Sequence, residues 1–148
     1  MSKLRADLTR EILNQGSSGF LPGLLGIEVL AVAQGSLSAR MALQRHHIAP
    51  NGFLHAASVV ALADTACGYG TMAHLPDGAS FTTIELKSNF LGTTLAGAIA
   101  CEAHAEHLGR TTQVWDAVVT DEASGRRIAL FRCTQMILLP RSGARPES

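Results

Sequence analysis

Residues 51–75 read NGFLHAASVVALADTACGYGTMAHL, and this stretch decides the fold. From Ala56 to Ala73 the residues are small or apolar in every direction round a helical wheel, with Ser58, Thr65, Tyr69 and Thr71 the mild exceptions. A helix that is apolar on all sides is a buried helix. One carboxylate, Asp64, stands at its middle. Burying an ionised carboxylate is costly even after relaxation, so Asp64 is expected to be partnered, protonated or lining a cavity that admits a polar ligand. Its bland reading is an aspartate that satisfies a neighbouring loop. A membrane span is disfavoured, because the run is barely long enough, carries Asp64 at mid-length and is not framed by Lys or Arg.

Working outward, Phe81–Leu91, Ala98–Glu106, Thr111–Asp121 and Arg127–Leu139 alternate like strands, with tight turns at Leu108-Gly109 and at 122–125. Before the helix, Leu25–Val32 and Ser36–Leu43 read as a hairpin broken near Gln34-Gly35. Leu4, Leu8 and Ile12 recur every fourth residue, which predicts a short amphipathic helix capped by Ser2 and ending by Gly16. The segment GSSGFLPG reads as a glycine-rich connection, and the tail 141–148 as disordered. The fold class is α+β: an antiparallel sheet curling round one long helix, in a single domain over residues 1–140. One sheet covers such a helix only in part, so a partner subunit is expected to cover the rest.

Twelve basic and twelve acidic residues cancel, and aromatic content is only 5%, so nothing argues for nucleic acid or an anionic membrane surface. Cys67, Cys101 and Cys133 are widely spaced inside apolar segments and form no Cys-x-x-Cys pair, which predicts reduced core residues. The opening MSKLRADLTREIL carries five charges and no continuous apolar block, the pattern of neither a secretory signal nor an anchor, so a cytoplasmic protein is expected. His46-His47 and the pair His104/His107 lack carboxylate or cysteine companions at ligand spacing, and no metal is expected. The absence of a glycine-rich phosphate loop or dinucleotide fingerprint leaves nucleotide hydrolysis and hydride transfer without support.

Four stretches carry a resemblance: LPGLLGIEVL at 21–30, NGFLHAASVVALADTACGYG at 51–70, FTTIELKSNFLG at 81–92 and HLGRTTQVWDAVVTDE at 107–122. Together they span nearly the whole chain, and it resembles the hotdog-fold thioesterases, most closely the phenylacetate-pathway (PaaI-type) branch. The resemblance implies a sheet wrapped round a central helix, edge-to-edge dimers that often pair into tetramers, and hydrolysis of an acyl-CoA thioester to a free acid and CoA. It implies no cofactor, since CoA belongs to the substrate.

The resemblance also assigns roles. It places the catalytic carboxylate at Asp64, either as nucleophile or as general base on water. The oxyanion donor falls on the backbone N–H of Ala56, at the helix N-terminus, where relatives usually read His-Gly-Gly and this chain reads His55-Ala56-Ala57. The donor survives that exchange while the added methyls narrow the approach. Where many relatives carry Asn or Gln six residues before the motif histidine, this chain has Ala49; Asn51 either reaches the same oxygen or is a turn residue.

His55 is read as fixing the helix start, with a general-base role second. Thr83 is either a water-holding residue from across the dimer interface or an ordinary strand threonine. Arg110, with Lys87 behind it, is the candidate grip on the CoA phosphates, and Phe20, Leu21 and Pro22 are candidate acyl-pocket walls. Two rivals remain: a non-catalytic acyl-CoA-binding or regulatory hotdog module, and a hotdog dehydratase, which needs His55 and Asp64 at one carbon although nine residues separate them.

Overall fold

The computed structural model describes residues 2–142, and within it the stretch at 51–75 forms one helix, α3 (Ala56–Met72). His55 enters it with φ −66° and ψ 132° and caps it, its Nδ1 accepting from the Ala57 N–H at 2.9 Å. One side of α3, through Val59, Leu62, Ala63, Ala66, Cys67 and Gly70, is wholly buried against the sheet. Val60, Ala61, Asp64, Thr65, Gly68 and Met72 form a second stripe that is only half-buried. The sheet thus covers one face of a helix whose composition suits cover on all faces.

That sheet has six antiparallel strands: β1 (Ile27–Ala33), β2 (Ser36–Ala42), β3 (Ser80–Phe90), β4 (Ala98–Leu108), β5 (Thr112–Asp121) and β6 (Arg127–Leu138). Their order is β1-β2-β4-β5-β6-β3, so the chain leaves β2, runs along α3 and returns at the far edge. Inward residues of β2, β4, β5 and β6, among them Leu37, Met41, Ile99, Trp115 and Ile128, make the core with α3. Cys67, Cys101 and Cys133 are free thiols within it. The edge strand β3 pairs only with β6, and Ile84 is an extra residue that bulges it between Thr83 and Glu85. Along this edge Ile84, Leu86 and Phe90 are exposed.

Two short elements differ from expectation. The first helix, α1, spans only Arg10–Gly16 and is capped by Thr9, not Ser2. The residues before it are drawn elsewhere: the Leu4 N–H donates to Gln34 Oε1, Gln34 Nε2 donates to the Ser2 carbonyl, and the Arg5 N–H donates to the carbonyl of Ala73 at the end of α3. The connection at 17–24 contains a one-turn helix, α2 (Leu21–Leu25), started by a proline in its first turn and closed by Gly26 at φ +77°. Of the expected tail, residues 143–148 lie outside the described residues. Among the described residues no helix is long and apolar enough to cross a membrane.

Gly70 is where helix and sheet approach most closely: a Cβ there would lie 2.7 Å from the Trp115 ring. Since Trp115 is fully buried and cannot swing away, Gly70→Ala is expected to destabilise the protein by about 1–3 kcal/mol in urea unfolding, as overpacked cores do. An unchanged midpoint would show that the ring has room to move.

Candidate active site

The start of α3 is held from below by His47, which is fully buried. Its Nε2 bonds the Leu25 carbonyl at 2.8 Å, and its own carbonyl accepts from the His55 N–H at 3.0 Å and from Ser58 Oγ at 2.8 Å. Burial holds the His47 ring below the ordinary histidine range, which suits a structural anchor. His47 was legible in the sequence only as half of a possible metal pair. Its anchoring role emerges from contacts with residues 22 positions before it and 11 after it.

With the Ala57 N–H taken by His55, the exposed Ala56 N–H has no partner among the described residues. Beside it lies an apolar cavity of about 460 Å³, walled by Phe53, Val59, Phe90, Gly92 and Thr93. Sequence reading missed Phe53 and Phe90; their only signal was position, one just before the motif histidine and one at the end of β3. Phe20 and Leu21 are exposed on the α2 segment and do not line this cavity within the chain. Asn51 is engaged in its own turn, its Oδ1 accepting from the Phe53 N–H at 3.3 Å, with Gly52 at φ +88° beside it.

Asp64 lies eight residues further along the helix, on the half-buried stripe, and its Oδ1 is sealed from solvent without a hydrogen-bond partner. Burial pushes its carboxyl above the usual aspartate range. One turn on, the Cys67 thiol is held protonated by its contact with Cys133 and by burial, and burial pushes Cys101 up to about 12, so no thiolate competes with the carboxylate.

Phe81 and Thr83 share the helix side of β3. Phe81 packs at 3.5 Å on the place a Cβ of Gly68 would occupy, one turn from Asp64, and Thr83 Oγ1 donates to the buried Gln135 Oε1 at 2.7 Å. Thr83 is therefore held by β6 of its own chain.

The two cations do not come together. Lys87 lines a groove with Asn89, Asp116 and Arg132 on the sheet face away from α3. Arg110 stands in the β4–β5 turn beyond the C-terminal end of α3, the end remote from Ala56.

The family model of the thioesterase superfamily matches residues 51–128, the region from the loop before α3 into β6. The chain belongs to the thioesterase superfamily. Among its relatives, the 1,4-dihydroxy-2-naphthoyl-CoA hydrolase of Listeria monocytogenes is 30% identical over 110 residues, covering 74% of this chain and 89% of that one. The proofreading thioesterase EntH of Klebsiella pneumoniae is 30% identical over 134 residues, 90% of this chain and 97% of its own. Among solved structures, a thioesterase of Haemophilus influenzae matches with a TM-score of 0.87 and 26% identity, over 96% of this chain and 99% of that one. A glutamine-to-alanine variant of a Pseudomonas aeruginosa thioesterase matches at 0.86 and 29%, over 91% and 97%. The architecture is the hotdog fold, and this thioesterase is a hydrolase of thioesters.

For this thioesterase the raised Asp64 carboxyl has a consequence for stability. A folded carboxyl above its unfolded value binds protons the unfolded chain has lost, so its contribution to stability declines as pH rises through that window. Asp64→Asn is therefore expected to melt higher than the parent at pH 7, with the gap closing on acidification into the ordinary aspartate range. Parallel melting curves read this directly, and a variant that melts lower at pH 7 would contradict it.

Proposed function

We propose that this thioesterase hydrolyses acyl-CoA thioesters at a site built from the Ala56 N–H of one subunit and the Asp64 carboxylate of another. The observation that carries it is Asp64 itself: a carboxylate with a buried, unpartnered oxygen on the one uncovered stripe of the helix. Eight residues of helix place it ~12 Å along the axis from Ala56, too far for one thioester group to touch both in the same chain. A second copy placed antiparallel along the β3 edge brings one helix start beside the other helix's middle, and the long unpaired edge of β3, with Ile84, Leu86 and Phe90 exposed along it, suits such pairing.

The chemistry follows from those two groups. The thioester oxygen accepts from the Ala56 N–H, which stabilises the charge that develops on it; one such donor is worth about 3 kcal/mol of barrier. The ionised Asp64 either attacks the carbonyl carbon or takes a proton from the water that does. Collapse expels CoA as its thiolate, which is protonated by Asp64 when Asp64 has taken the proton of the attacking water, or by solvent when Asp64 is itself the nucleophile. The acid is released at once on the first route and after water opens the anhydride, regenerating Asp64, on the second. Thr83, fixed by Gln135, has lone pairs free to hold that water. The cavity of Phe53, Val59 and Phe90 takes the apolar part of the substrate next to the oxyanion donor. The choice of CoA rests on the Listeria relative, a CoA-ester hydrolase by name.

Asp64→Asn is expected to lower kcat on a cleaved acyl-CoA ester at least about a hundredfold. Ala56→Pro tests the donor separately. Proline suits the first helical position, and the extended His55 is compatible with a following proline, so the helix stays while the N–H goes. A loss of about 10²–10³ in kcat with an unchanged melting temperature is the expected result. Full turnover in either variant would overturn the assignment of that group.

A further inference from the structure

A second cavity, of about 420 Å³, opens at the other end of the molecule, past the C-terminus of α3. Leu75, Leu108 and Ile137 give it apolar walls, and Lys3, Arg110 and Asp77 stand at its rim. Among the described residues neither Lys3 nor Arg110 makes an ion pair, and with the single carboxylate of Asp77 beside them the rim carries one net positive charge. Two buried polar side chains, His74 and Gln113, form its floor.

They differ in one respect. Both ring nitrogens of His74 are engaged, Nδ1 with the Gly70 carbonyl at 2.7 Å and Nε2 with the Gly35 N–H at 3.0 Å. Gln113 is half satisfied: its Oε1 accepts from the Trp115 indole at 3.0 Å, which fixes the orientation of the amide, and its Nε2 is buried with no partner. A buried amide N–H left unpaired is unfavourable by about 1–3 kcal/mol, and this one lies sealed just beneath the floor of a cavity with net positive charge at its mouth. None of these residues belongs to the Ala56 and Asp64 halves described above.

We infer that this cavity is a second ligand site, taking a small organic anion whose apolar body lies between Leu75, Leu108 and Ile137, whose acceptor oxygen meets the Gln113 amide, and whose charge faces Arg110 and Lys3. The volume lies within the range of small-molecule sites. A donor at the floor and cations at the mouth select a carboxylate with a second acceptor at its opposite end. Inorganic phosphate has no apolar body to fill the walls, and an uncharged ligand makes no use of the rim.

The single tryptophan reports on this site, because its indole N–H is bonded to the same Gln113 side chain. The test follows the one indole N–H resonance in a ¹⁵N–¹H spectrum of the full chain during titration with 4-acetylbenzoate, with no thioester present. A saturable shift is expected, at least about tenfold weaker in affinity for 4-ethylbenzoate, which lacks the acceptor, and for 4-acetylbenzamide, which lacks the charge. Arg110→Glu is expected to weaken 4-acetylbenzoate by a similar factor, while Asp64→Asn leaves its binding unchanged. No saturable shift, equal affinity for the three compounds, or binding lost with Asp64→Asn and kept with Arg110→Glu would overturn the proposal. Because no turnover is measured, its failure is separate from any failure of the hydrolytic site.

Discussion

The structure depends on a mismatch between one helix and one sheet. α3 is apolar all round, yet the six strands of a single chain bury only the side through Leu62, Ala66 and Gly70. The opposite stripe holds the only carboxylate of the helix, with one oxygen sealed and unpaired. An arrangement of this kind is unfavourable for an isolated chain, since it exposes apolar surface and desolvates a charge at the same place. It becomes favourable when a second chain covers the stripe and a substrate supplies the missing partner. Fold, association and chemistry thus meet at Asp64 in the proposed reaction.

The close packing on the buried side keeps that stripe in position. Gly70 lets the Trp115 ring lie directly on the helix, and His47, bonded to Leu25, His55 and Ser58, fixes the height at which the helix begins. Both contacts set where Ala56 and Asp64 stand relative to the sheet edge. A donor and a carboxylate separated along a rigid helix cannot converge by a local adjustment, so in the proposed shared site the symmetry of a pair of chains brings them together.

Much of this was legible from residue order. The all-apolar run with one acid gave α3 and singled out Asp64, and alternation with turn residues placed the six strands within about two residues of their ends. The misjudged element, the first helix, is one set by distant partners. Leu4 and Leu8 carry helical spacing, but Gln34 and Ala73 claim the backbone around them. Lys87 and Arg110 both suit a phosphate grip as residue types; strand facing sends one to the outer face and the β4–β5 turn sends the other past the far end of α3. His47, Phe53 and Phe90 matter through contacts that no local pattern encodes.

The shared site is tested most directly with chains that each lack one half of it. Ala56→Pro and Asp64→Asn subunits carrying different affinity tags are co-expressed, and the mixed pairs are isolated by purification on both tags in turn. Each mixed pair then holds one complete site and one lacking both groups, so about half the parental turnover per pair is expected, from two proteins that are inactive alone. Mixed pairs as inactive as either parent variant would show that donor and carboxylate work within one chain, and would contradict the account.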